Sequence, residues 1–196
     1  MISQSCSYLP YSKRTEIVDG YSQWVRQQLD DGYIGYYANF MFNQLPGGRR
    51  VHVEIMKKEV AAVHGKLTLR VVRKPNSKEW QPLRPRFIGC PDLPVWKNRR
   101  RNLPLDIVND GLHFNGIWFV PPKRRELGGK CVQGADGRRS RLTTGLIKHF
   151  KDLESSYRSR SLGSIHLVRL KDEDVCDYAF KAFKAGKVHY DDMLVL

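Results

Sequence analysis

The sequence predicts an α+β fold, a ferredoxin-like βαββαβ split sheet with an additional C-terminal helix. Three observations carry that prediction. An aromatic and apolar run between Tyr33 and Leu45 reads as a strand. Apolar residues at steps of three and four from Val53 to Val71 read as one long amphipathic helix. The run GLHFNGIWFV over Gly111–Val120, closed by Pro121 and Pro122, is the clearest strand of the chain.

The remaining elements follow in order. Residues 1–20 are polar and mixed, which suggests a loosely attached arm; residues 21–30, with Tyr21, Trp24, Val25 and Leu29 near helical spacing, suggest a short helix that Gly32 ends. An N-terminal arm with a short helix over 1–32 and a main domain over 33–196 are therefore expected. Pro46, Gly47 and Gly48 turn the chain after the first strand. The long helix, Arg49 to Arg73, carries Val53, Met56, Val60, Val63, Leu67 and Val71 on one side and Lys57, Lys58, Lys66, Arg70 and Arg73 on the other. A proline-punctuated loop over 74–85 leads to a short strand, Arg86 to Cys90, and residues 91–110 read as irregular. After the strand ending at Val120, a basic, glycine-rich loop precedes a helix that Thr143 or Thr144 caps and that runs to about Tyr157. Its expected buried stripe is Leu146, Ile147, Phe150 and Leu153. Gly163 to Leu170 is a further strand, and Asp172 to Asp174 place acids at the start of a last helix through Phe183, stopped by Ala185 and Gly186. Met193 to Leu196 is either a final short strand or merely the boundary of the sequence.

Composition bounds the partners. The 196 residues are 41% hydrophobic and 11% aromatic, enough for one packed core. Lys and Arg total 34 against 20 Asp and Glu, a net charge of +14 that points to phosphate backbones or an acidic membrane surface. The membrane is the weaker reading, because the charge is spread over loops instead of along one amphipathic helix. No apolar run approaches the roughly 20 residues of a spanning helix, and the N-terminus has no secretory h-region, so a cytoplasmic location is expected. Cys6, Cys90, Cys131 and Cys176 form no CxxC pair, which argues for reduced structural thiols and against zinc or disulfides. No GxxxxGK[ST] phosphate loop is present, so any helicase acting with the chain is a separate protein.

The chemistry concentrates at two places. Along Leu112–Phe119, Leu112, Phe114, Gly116 and Trp118 point one way, and His113, Asn115, Ile117 and Phe119 the other. A neutral imidazole and an amide oxygen thus stand side by side, and both are able to ligate a divalent cation. Tyr178 lies one helical turn before Lys181 in DYAFK. A phenol with an ordinary pKa of about 10 needs a neighbouring cation to attack a phosphodiester. The plainer readings are a hydrogen-bonded strand histidine, an interfacial tyrosine and an exposed lysine, and Tyr157 and Tyr190 are rival tyrosines.

This chain resembles the HUH endonucleases, the rolling-circle Rep and relaxase superfamily. The similarity lies at Tyr37–Gln44 (YANFMFNQ), at Leu112–Phe119 (LHFNGIWF) and at Asp177–Lys181 (DYAFK), in the family's order and over roughly residues 33–190. Asn115 stands where the family has its second histidine. The resemblance implies Mg²⁺ or Mn²⁺ held by His113, Asn115 and a third group, for which Glu54 and His166 are candidates. It further implies Tyr178 as the nucleophile that nicks and rejoins single-stranded or hairpin DNA through a 5′-phosphotyrosine, with Lys181 stabilising charge near the phosphate. Asn115 leaves two forms open: a variant active site, or a relative that kept DNA binding and lost cleavage.

Three basic runs flank the His113 strand: Lys97, Arg99, Arg100 and Arg101; Lys123, Arg124 and Arg125; Arg138, Arg139 and Arg141. Singly these are solvated loops; together they suit salt-sensitive phosphate binding. Trp96, Trp118, Tyr33, Tyr36 and Tyr37 are candidates for base stacking, though core packing explains most of them equally well. Metal-dependent DNA nicking and joining is the leading expectation. A non-catalytic single-stranded DNA or RNA-binding module is the alternative, and a basic adaptor in a protein complex the weaker third.

Overall fold

The computed structural model describes residues 9–92, 112–121, 145–171 and 175–196. Its elements are helix α1 (Tyr11–Asp30), strand β1 (Ile34–Phe42), helix α2 (Arg49–Val71), strand β2 (Arg86–Asp92) and strand β3 (His113–Val120). Helices α3 (Leu146–Asp152) and α4 (Glu154–Tyr157), strand β4 (Leu162–Arg169), helices α5 (Val175–Ala179) and α6 (Lys181–Lys184), and strand β5 (Leu194–Val195) complete it. Among the described residues no helix is long and apolar enough to cross a membrane.

The fold is α+β, built on a five-stranded sheet in the order β4-β1-β3-β2-β5 with every neighbouring pair antiparallel. β3 sits at the centre and is buried along all but its first residue, as its near-continuous apolar run requires. Its alternation divides the sheet into two faces. Phe114 and Trp118 join Phe40 and Phe87 on one face, where the rings meet edge to face at centroid separations of 5.2–6.5 Å. α2 closes this aromatic layer through the predicted stripe Val53, Met56, Val60, Val63, Leu67 and Val71. α3 closes it through Phe150, stacked 5.3 Å from Trp118. The opposite face, which carries His113 and Asn115, is covered in part by α1, whose Trp24 meets Phe119 at 5.3 Å, and by α5 and α6.

Several boundaries differ from the sequence reading. The helix expected over 21–30 begins at Tyr11, so residues 11–20 are no loose arm. Ile17, Val18, Tyr21, Trp24, Val25 and Gln28 keep helical spacing along its inner side, and the polar residues between them obscured the pattern. Arg14 ties this end to the Leu9 and Lys184 carbonyls. α1 therefore packs into the same core as the sheet. The helix expected to end near Tyr157 breaks at Leu153, and the last one at Phe180; both residues leave helical geometry, with φ −121° and −105°. Phe180 and Phe183 are both fully buried, which the kink between them allows. β2 runs on to Asp92, two residues beyond the expected end, because β3 offers it partners up to His113. The chain end does form a strand: β5 pairs with β2, and Phe87 and Leu196 exchange backbone hydrogen bonds of 2.9 Å.

Gly116 and Gly89 face each other across β3 and β2 beneath the Phe87 ring. A Cβ on Gly116 would collide with that ring and lie 2.7 Å from the Ile88 carbonyl oxygen. Gly116→Ala is expected to lower the unfolding free energy by about 1–3 kcal/mol in denaturant titration, the usual cost of overpacking a filled core.

His64 on α2 accepts a hydrogen bond from the Trp118 indole, 3.1 Å, and burial pushes its pKa down from 6.5 to about 4. Below 6.5 the unfolded chain takes up a proton that folded His64 refuses, so stability falls as pH drops from 6.5 toward 4. The loss is at most about 3 kcal/mol from this group, and His64→Gln should flatten that part of the profile in urea melts across the interval.

Candidate functional site

The partly covered sheet face brings the sequence-predicted residues into one connected cluster. β3 supplies His113 and Asn115, and cross-strand register sets their neighbours. Asp92 of β2 and Met41 of β1 stand opposite His113; Cys90 of β2 and Asn39 of β1 stand opposite Asn115. α5 and α6 lie over this part of the face and deliver Tyr178 and Lys181.

Asn115 is 1% exposed, and both ends of its amide are engaged. Its Oδ1 accepts from the Tyr37 hydroxyl at 2.7 Å, and its Nδ2 donates to Asp92 Oδ2 at 3.0 Å. Lys181 Nζ reaches the same Asp92 oxygen at 2.8 Å and lies 4.7 Å from the Tyr178 ring centre. Tyr178 is 55% exposed and meets the Tyr37 ring edge-on at 5.6 Å. Tyr37, Asn115, Asp92, Lys181 and Tyr178 thus form a closed circuit, with the phenol of Tyr178 on its solvent side.

Electrostatics follow from burial and from Asp92. Burial works against the charge on Lys181, but the hydrogen bond and charge of Asp92 outweigh it and hold its pKa above the ordinary value. Burial lowers the pKa of His113, Asp92 opposes that shift and Lys181 adds to it. Burial, then the proximity of Tyr178, raise the Tyr37 pKa, against a hydrogen bond from Asn39; Tyr37 therefore remains a neutral donor. Burial and Asp92 push the Cys90 thiol up to about 12, so it stays protonated. Both described cysteines, Cys90 and Cys176, are buried.

His113 Nδ1 and Asn39 Oδ1 are buried and have no hydrogen-bond partner among the described residues. Unpaired buried polar atoms are costly; these two lie on the face that carries Asp92, while two others, His52 Nε2 and Arg84 Nε, lie elsewhere. Among the described residues no three His, Cys, Asp or Glu side chains converge as a metal group. The available donor set is one imidazole, one carboxylate and the Asn115 amide. Such a mainly oxygen set with one negative charge suits Mg²⁺ or Mn²⁺ better than a soft transition metal. The orphaned His113 nitrogen beside Asp92 fits such an ion; Asn115 joins only by giving up Tyr37.

The acid that stands opposite His113 is Asp92, which sequence reasoning missed. Asp92 follows Pro91 in a stretch read as irregular, and only the β2–β3 register sets it opposite His113. Neither earlier candidate reaches the site. Glu54 is an exposed α2 residue paired with Lys57 at 3.8 Å. His166 shares the face, but β1 intervenes, so it is roughly 10 Å from β3.

The rival tyrosines lie elsewhere. Tyr157 packs beneath α3 with its hydroxyl 2.8 Å from His149 Nε2, and burial pushes its pKa up to about 12. Tyr190 stands beside Phe183 near β5. Trp118, Tyr33 and Tyr36 are buried and cannot stack on bases; the Tyr33 hydroxyl bonds the Pro82 carbonyl. Lys97, Arg99, Arg100, Arg101, Lys123, Arg124, Arg125, Arg138, Arg139 and Arg141, with Trp96, Cys6 and Cys131, lie outside the described residues.

Compared with protein-family models, curated proteins and solved structures, the chain gives no match.

Asn115→Ala deprives two buried partners at once. It should lower stability by about 1–3 kcal/mol in denaturant titration, and Asn115→Ala combined with Tyr37→Phe should lose less than the sum of the single changes.

Proposed function

We propose that the chain is an HUH-type DNA-nicking and joining protein on a ferredoxin-like split sheet. The observation that carries the reading is convergence: Tyr178 and Lys181, distant in sequence from the β3 strand, meet Asp92, Asn115 and His113 on one sheet face. The strand order β4-β1-β3-β2 with antiparallel neighbours supports the split-sheet topology, with β5 and the C-terminal helices as additions. A net charge of +14 favours a polyanionic partner, with phosphate contacts from the basic runs at 97–101, 123–125 and 138–141.

His113 and Asp92, with Asn115 if its amide turns outward, would hold Mg²⁺ or Mn²⁺. Such an ion supplies Lewis-acid polarisation of a phosphate oxygen. The Tyr178 oxygen attacks phosphorus and forms a phosphotyrosine ester as the phosphorus–O3′ bond breaks. The departing O3′ gains a proton, and the phenolic proton passes to water. Lys181, 4.7 Å from the Tyr178 ring centre, offsets charge on the phosphate. Attack by a 3′-hydroxyl on the phosphotyrosine reverses the step and joins strands.

One observation favours a second reading, a non-catalytic module for single-stranded DNA or RNA. Asn115 spends both ends of its amide inside the protein.

The two readings separate on a diverse pool of single-stranded DNA with Mn²⁺, resolved on denaturing gels. The nicking reading expects a covalent protein–DNA band that requires the ion and disappears in Tyr178→Phe. Salt-sensitive binding without any covalent band would sink it in favour of the binding module.

A further inference from the structure

We infer that Lys181 is a tethered cation that occupies the Asp92 carboxylate until a divalent ion displaces it, so that metal loading releases Lys181 toward the substrate phosphate. The inference rests on the proposed metal site but adds a competition to it. Lys181 Nζ lies 2.8 Å from Asp92 Oδ2, the same oxygen that accepts from Asn115. The carboxylate is 12% exposed and the lysine side chain 46% exposed. Asp92 is thus held in place, whereas the lysine reaches it from the solvent side and has room to leave. The seat beside it is chemically incomplete, because His113 Nδ1 has no partner among the described residues.

Two positive charges do not share one carboxylate oxygen cheaply in a partly buried site. A divalent ion between Asp92 and His113 therefore drives the ammonium off. The freed side chain pivots at α6, whose kink at Phe180 sets Lys181 beside the Tyr178 ring. The lysine then carries an unpaired charge next to the phenol only when the ion is in place. Binding order follows: ion first, phosphate second. Before loading, the same bond caps Asp92 and spares a buried carboxylate from standing uncompensated.

The test is calorimetric titration of Mn²⁺ alone, without DNA, into the wild-type chain, Lys181→Met, Lys181→Gln and Asp92→Asn, each checked for folding by circular dichroism. Near-ultraviolet tyrosine signal is followed with Mg²⁺. Both Lys181 variants should bind Mn²⁺ about tenfold or more tightly than wild type, the scale of one charge-assisted hydrogen bond released. Asp92→Asn should bind more weakly than wild type. Saturation with Mg²⁺ should change the tyrosine signal of the wild type, as the ammonium leaves the Tyr178 ring, and not that of Lys181→Met.

Equal or weaker Mn²⁺ binding by the Lys181 variants, with wild type binding, overturns the competition and leaves the metal site standing. An unaltered Kd in Asp92→Asn overturns it as well, because the ion then sits elsewhere. Absence of binding in wild type and in both Lys181 variants overturns the metal site and the competition together.

Discussion

The central strand β3 is the constraint on which everything else depends. Phe114 and Trp118 enter the aromatic layer under α2 and α3, where both are fully buried against Phe40 and Phe87. Once they do, the two-residue period of a strand sends His113 and Asn115 to the opposite face. A shift of one residue would take the two rings out of the aromatic layer and turn the polar pair toward α2. The lost ring packing, together with two polar side chains turned into an apolar layer, is what holds the site in register.

The glycine pair at 89 and 116 serves the same constraint from beneath. Phe87 folds over bare backbone there, which lets β2 lie close against β3 with its register unbroken to Asp92. That register is what puts a carboxylate opposite His113. Core packing on one face thus decides which acid reaches the imidazole on the other. α1, α5 and α6 complete the arrangement by covering only part of the polar face, leaving Tyr178 accessible while Asn115 is sealed.

The buried circuit from Tyr37 through Asn115 and Asp92 to Lys181 shows what an amide does at position 115. The Asn115 amide fills both roles here, its oxygen accepting from Tyr37 and its nitrogen donating to Asp92. An amide offers one acceptor and one donor group on a planar frame. Asn115 acts foremost as a positioning residue for Asp92 and Tyr37, whichever chemistry the site performs.

The sequence by itself determined a good deal. The α2 stripe, the two faces of β3, the order of strands and helices, and the Tyr178–Lys181 pairing were all legible, because each depends on periodicity or on neighbours within a turn. Only tertiary structure decided the remainder. Asp92, the start of α1 at Tyr11, the exclusion of Glu54 and His166, and the separation of Tyr178 from Tyr157 and Tyr190 depend on pairing between distant segments. Local sequence carries no record of cross-strand register. That register is set by the summed burial of the aromatic layer, a property of the folded sheet as a whole.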